Sequence, residues 1–143
     1  MGLADADSAE HGEPSSNLLI TAVACPMPDR SAGAPNLHGA ASIRLRRGTR
    51  AWEIYGRDEV FERYFCNYEV NPEYRGALEA AGLALSGFSE NGDIRVAELP
   101  THPFFIATLF QPQLSSEAGR PHPLIRAFVH AASKTTGPDS CPT

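Results

Sequence analysis

Two apolar runs that alternate in period two flank one Asn-Gly step, and this arrangement commits the middle of the chain to an antiparallel pair. Leu83, Ala84, Leu85, Ser86, Gly87 and Phe88 precede Glu90-Asn91-Gly92-Asp93, and Ile94, Arg95, Val96, Ala97, Glu98 and Leu99 follow. A two-residue hairpin turn needs positive φ at its centre, which Asn and Gly tolerate, so this is the strongest short hairpin signal a sequence carries. Alternation at Ser42, Ile43, Arg44, Leu45 and Arg46 predicts a half-exposed antiparallel strand. Residues 51–55 form a second short element after Gly48. Val60, Phe61, Tyr64, Phe65 and Tyr68 make 59–68 read as strand. Residues 17–23 and 104–110 read as buried strands, each an apolar run bounded by polar residues or proline.

The helical signals are fewer. Asn71-Pro72-Glu73 supplies an N-cap, a first-turn proline and an acid, so a helix is predicted over 72–81, ended by Gly82. Residues 122–133 form an amphipathic closing helix with Leu124, Ile125, Phe128 and Val129 on one stripe. Between the strands, residues 24–41 are rich in Pro, Gly, Ala and Ser and read as a loop. The expected organisation is a polar segment at 1–16, one domain over 17–133 and a disordered tail at 134–143.

Composition narrows the partners. With 17 acidic and 12 basic residues the chain carries a net charge of -5, which argues against non-specific contact with nucleic acid or an anionic membrane surface. The longest apolar run, Phe104 to Phe110, is far shorter than the ~20 residues that span a bilayer. The acidic start Met1-Gly2-Leu3-Ala4-Asp5 lacks the basic and apolar regions of a secretory leader, so the cytoplasm is the expected location. Cys25, Cys66 and Cys141 are odd in number and irregularly spaced, which fits neither a disulfide framework nor a CxxC metal site. No cofactor or metal is expected.

Ordered motifs run through the chain: Tyr55-Gly56, Glu62-Arg63, Tyr68-Glu69-Val70-Asn71, Glu79-Ala80-Ala81-Gly82-Leu83, Ser86-Gly87, Glu98-Leu99-Pro100, His102-Pro103 and Arg120-Pro121-His122-Pro123-Leu124. In this order they resemble the glutaminase domain of CTP synthase, a class I glutamine amidotransferase, from about residue 2 to 133. Small proteins related to the C-terminal region of that enzyme are closer still. The resemblance implies an α/β fold: the C-terminal part of a flavodoxin-like domain, with a mixed sheet and an antiparallel hairpin excursion. It also implies a Cys-His-Glu triad. Gln111 stands where the family has the His, Gln113 where it has the Glu, and Asn67 where an Arg contacts glutamine, while Glu10 keeps the acid that contacts substrate. The Gly-x-Cys-x-Gly elbow that carries the nucleophile occurs nowhere in the 143 residues.

Thiol attack on an amide needs a thiolate and an imidazole that returns the proton to the leaving ammonia. A glutamine side chain does not titrate near neutrality and cannot take either part. The expected function is a catalytically degenerate, non-hydrolytic binding or regulatory homologue, or a fragment, with a glutamine-like small molecule as ligand. The alternative is a piece of a CTP-synthase-related enzyme, making CTP from UTP, whose nucleophile lies upstream. A sheet cut in this way leaves an open edge, so a protein partner or self-association is expected to cover it.

Other reactive side chains have structural readings. Cys66 and Cys25 read as buried hydrophobes, though a reactive or redox role stays open for both. His102 and His122, each before a proline, read as turn-shaping residues rather than metal ligands. Arg44, Arg46, Arg47 and Arg50 read as a solvated strand face rather than a phosphate site. Trp52, Phe61 and Tyr64 read as core or interface anchors.

Overall fold

A computed structural model describes residues 5–11, 17–22 and 38–135. Cys25, Cys141, the loop up to residue 37 and the tail from 136 lie outside the described residues. The elements run β1 (Asp7–Ser8), β2 (Leu18–Ala22), β3 (His38–Leu45), α1 (Arg50–Tyr55), β4 (Glu59–Phe65), β5 (Tyr68–Val70), α2 (Arg75–Ala80), β6 (Ala84–Phe88), β7 (Ile94–Glu98), β8 (Ile106–Thr108) and α3 (Pro123–Thr135).

They form two sheets, a small one ordered β1-β2-β5 and a larger one ordered β4-β3-β6-β7-β8. The β1–β2 pair is parallel, and the other pairs among the described residues are antiparallel. The small sheet is therefore mixed and the larger one antiparallel throughout, and β6–β7 is the foreseen hairpin, closed by residues 89–93 rather than a two-residue turn, with Gly92 at φ 88°. Arg95 ties the sheets together, reaching Glu69 at 3.6 Å and Asp93 at 3.3 Å.

The core is Ile43, Leu45, Ala51, Val60, Val96, Phe110 and Leu124, gathered from β3, α1, β4, β7, α3 and the segment after β8. Short α1 folds because both its ends are satisfied. The Thr49 hydroxyl accepts from the Trp52 N–H, and Gly56 closes the helix at φ 66°. The buried Glu98 carboxylate on β7 accepts from the N–H groups of Arg50 (3.0 Å) and Ala51 (2.8 Å), two donors that a helix N-terminus leaves open.

Several expectations need correcting. Residues 38–41 are strand, not loop, because His38 to Ala41 pair in register with Phe65 to Glu62, and cross-strand pairing overrides their weak strand composition. The 59–68 strand breaks at Cys66-Asn67, after which β5 joins the other sheet. The 104–110 run is not a buried strand. Only Ile106–Thr108 pairs, on one side with β7, so Phe105 stays 41% exposed while Phe110 reaches the core. β2 is half-buried rather than buried, since its small sheet covers it incompletely. The 72–81 helix opens as a 3-10 turn, Pro72–Tyr74, around the Asn71 side chain that accepts from Glu73 N–H at 3.1 Å. On α3 the expected apolar stripe is half-used: Leu124 is buried, Phe128 is 55% exposed and Val129 59%. Phe61 is not a core anchor, being 74% exposed on the outer face of β4, whereas Trp52 and Tyr64 do pack on the core.

Asp58 fastens the far side of α1. It accepts from the Trp52 indole N–H at 2.8 Å and from the Arg47 guanidinium at 2.8 and 2.5 Å. The Arg47 hydrogen bonds, then the indole, hold its carboxyl down to about 2 from an ordinary 3.8. A depressed folded pKa means that the clamp is complete above the ordinary carboxylate range and is lost as pH falls from about 4 toward 2. Trp52 is the one tryptophan of the chain, so its emission should report that transition, and Asp58→Asn should abolish it. An unchanged acid transition in Asp58→Asn would show that another carboxylate is responsible.

Candidate functional site

The chain leaves β8 through Gln111, extended at φ -108°, ψ 97° as the following proline demands, and turns into the 3-10 segment Pro112–Ser115. Gln111 docks on β4 with both backbone and side chain. Its N–H donates to Arg63 O at 3.0 Å. Its side-chain oxygen accepts from Phe65 N–H at 2.6 Å, and its Nε2 donates to Phe65 O at 3.4 Å. A primary amide presents a donor and an acceptor side by side, as a peptide does, so Gln111 adds a further rung to the end of β4. An imidazole carries its two nitrogens in a different arrangement and cannot pair with both the N–H and the C=O of one residue in this way.

The other positions singled out in the sequence gather at the same end. Asn67 follows Phe65 by two residues and is half-buried. Ser8 is level with Ile20, Ile20 with Val70 and Ala22 with Tyr68. Continuing along that register, Glu10, exposed in the 3-10 turn Ala9–His11, lies toward the end of the small sheet that Asn67 enters. Asp7 beside it holds His11 at 2.6 Å, and the hydrogen bonds from His11 and from the Ser8 N–H keep the Asp7 carboxyl below its usual range. Gln113 is exposed in the turn after Gln111, and its side chain makes no hydrogen bond among the described residues. Cys66 is half-buried in the β4–β5 link, where the Tyr68 N–H donates to its sulfur at 3.4 Å. Gln111 therefore sits on the end of β4, two residues before Asn67, and the register of the small sheet runs Glu10 toward the same β4–β5 link.

Sequence reading missed a second polar cluster, buried between α1, β4 and α3. His122 Nε2 lies 2.9 Å from Glu62 Oε1, the Tyr55 hydroxyl donates to that oxygen at 2.6 Å, and Tyr55 and His122 are 3.2 Å apart. Both Glu62 and His122 are almost wholly buried, at 4% and 3% exposure. The Leu124 N–H at the start of α3 donates to His122 Nδ1 at 3.2 Å, which leaves the imidazole proton on Nε2, aimed at Glu62. Burial first, and then donation to Glu62, pushes the Tyr55 phenol far above its ordinary value. His122 therefore caps a helix and fills the interior, as its place between prolines suggested. His102, by contrast, is exposed, and its Nδ1 accepts from Phe104 N–H at 3.1 Å in the turn before β8. The signal for the cluster was Glu62 itself, an acid on the inward face of a strand between Val60 and Tyr64.

No family model matches the chain. It is 38% identical over 133 residues to the CTP synthase of Saccharolobus solfataricus, covering 93% of this chain and 25% of that protein. The CTP synthase of Rubrobacter xylanophilus is 42% identical over 134 residues, 91% and 24% of the two chains. The glutaminase domain of Trypanosoma brucei CTP synthase, solved with bound acivicin, superposes with a TM-score of 0.82 at 29% identity, covering 99% of this chain and 56% of that one. The fold is that of a class I glutamine amidotransferase domain of flavodoxin-like type. Within that class, the chain is a homologue of the CTP synthases, matched to their glutaminase domain, and it spans about a quarter of their length. Among the described residues no helix is long and apolar enough to cross a membrane, and no group of three or more potential ligands is placed to hold a metal ion.

Proposed function

We propose that this chain is a non-hydrolytic, CTP-synthase-type glutaminase domain that serves as a binding or regulatory homologue. The observation that carries this reading is the Gln111 amide paired with the Phe65 peptide, at the position where the resemblance puts the imidazole base. General acid–base catalysis contributes ~10²- to 10⁴-fold, and a primary amide can serve as neither the base nor the acid. Gln113 and Asn67 extend the degeneracy to the orienting acid and the substrate-binding cation, while Glu10 retains the family chemistry. A glutamine-like ligand is the natural candidate, and acivicin in the T. brucei domain supports it. A cytoplasmic location goes with this reading.

A second reading is a piece of a CTP-synthase-related enzyme whose nucleophile is carried by polypeptide outside this sequence. It is favoured by the 56% coverage of the T. brucei domain and by the half-covered edge at β8, with Phe105, Phe128 and Val129 in solvent. In that case a partner, or a second copy, covers the exposed side. An in-frame Gly-x-Cys-x-Gly encoded upstream of Met1 would select this reading.

Ammonia release from glutamine by the purified chain tests the main proposal. The expected rate equals that of a Gln111→Ala control and of buffer. Release above that control, or a glutamyl adduct found on any side chain by mass spectrometry, would overturn it.

A further inference from the structure

We propose that the groove between β3, α2 and the β6–β7 turn binds a small phosphorylated anion through Arg44, Arg46 and Arg75. The basic stretch of the sequence does not stay together in the fold. Arg47 turns to Asp58, and Arg50 reaches His102 O at 3.2 Å and lies 5.8 Å over the Phe104 ring. Arg44 and Arg46 instead line a groove of about 540 Å³, and α2 delivers Arg75 to it from a distant part of the chain.

What holds these guanidinium groups matters more than their number. Arg75 and Arg46 sit 5.0 and 5.8 Å from the centroid of Phe88, which orders both through its π face without neutralising either. Arg75 donates to Gly92 O at 3.4 Å, and Arg44 to Ser89 O and Glu90 O at 3.5 and 3.4 Å. These are long bonds to neutral carbonyls. The lining includes one acid, Glu79, whose carboxylate is 4.0 Å from Arg46, too far for a tight pair. Each guanidinium has five N–H donors, so most remain available.

Three partly ordered forks with little countercharge suit tetrahedral oxyanions, which take bidentate arginine contacts. The protein as a whole is acidic at -5, which repels a long polyanion, whereas a groove of this size admits one or two phosphate groups. The ligand class is therefore a small phosphate compound rather than nucleic acid. The groove is built from β3, α2 and the β6–β7 turn, none of which carries Gln111.

Calorimetric titration with inorganic pyrophosphate, at fixed low ionic strength, tests the assignment. Saturable binding to one site is expected, weakened by about tenfold or more in Arg75→Ala and in Arg46→Ala. Arg75→Lys should fall between, since it keeps the charge and loses the fork. Glu79→Gln should bind several-fold tighter, a gain that general damage to the fold could not produce. Arg47→Ala, whose side chain is committed to Asp58, should match wild type. A parallel titration with a nucleoside diphosphate separates the sources: tighter binding than pyrophosphate assigns a phosphate ester, and equal binding assigns free phosphate. The proposal is overturned by no saturable heat, by equal binding of sulfate at matched ionic strength, or by equal losses in Arg47→Ala and Arg75→Ala.

Discussion

Glu62→Ala is expected to lower the unfolding free energy by about 3 kcal/mol, read as a shift in the urea midpoint at constant m-value. Glu62 is the shared acceptor of two donors, the half-buried Tyr55 hydroxyl and the buried His122 Nε2–H, both on Oε1. Truncation removes both bonds and leaves the buried imidazole N–H without its acceptor, which is the expensive way to break a buried network. The loss is a large fraction of the ~5–15 kcal/mol that holds a domain of this size. Three elements meet at this carboxylate, so the effect should not stay local. α1 is tied through Tyr55 and α3 through His122, whose other nitrogen caps Leu124.

The conservative variant separates the possible causes. Glu62→Gln keeps an oxygen acceptor and the side-chain volume, but puts an NH₂ where Oε2 is buried without a hydrogen-bond partner among the described residues. It should cost less than Glu62→Ala but more than an exposed substitution such as Glu73→Gln. If Glu62→Ala shifts the midpoint by less than about 0.5 kcal/mol equivalent, the cluster is not what joins the helices to β4.

The contrast between what the sequence made legible and what it hid follows sequence distance. The β6–β7 hairpin was readable because Asn91, Gly92 and the alternating flanks are contiguous, and turn chemistry fixes register locally. The Asn71 cap and the stop at Gly82 were readable for the same reason, although residues 72–74 wind as a 3-10 turn ahead of α2. α1 was placed as a short element at 51–55 but its helical type was not readable, because the carboxylate that satisfies its first turn belongs to Glu98, 47 residues from Ala51. The break of β4 from β5 was hidden too, since Val60 to Tyr68 keeps strand-like composition straight across the point where the chain changes sheets. At the candidate site, Gln111, Gln113 and Asn67 were visible as exchanges from the pattern that the resemblance implies, and Glu10 as a residue that keeps it. The peptide-like clamp of Gln111 on Phe65 was not, since it depends on β4 and the exit from β8 arriving side by side. The Arg44–Arg46–Arg75 groove was hidden by the same kind of distance, and a run of arginines on one strand gave no reason to look for a third on a helix.

Gly87→Ala should be the most damaging small substitution in the sheet, costing about 1–3 kcal/mol by overpacking. The reason is contact rather than backbone freedom. A Cβ at Gly87 would lie 2.5 Å from Val96 Cγ2, 2.9 Å from Val96 Cβ and 3.2 Å from Ile43 Cγ2. Val96 and Ile43 are 1% and 2% exposed, and Val96 is the cross-strand partner of Gly87 in the β6–β7 register, so neither has space to retreat. Relief has to come from β7 moving away, and β7 positions both Glu98 under α1 and β8, from which Gln111 issues. A double-mutant cycle identifies the clash directly. Val96→Ala alone should cost about 2 kcal/mol from lost burial and the void it leaves. In Gly87→Ala/Val96→Ala the new methyl occupies part of that void, so the pair should cost less than the sum of the singles by about 1 kcal/mol or more. Additivity within about 0.5 kcal/mol would mean that the two side chains do not compete for the same space, and that the close β6–β7 approach is not what requires glycine there.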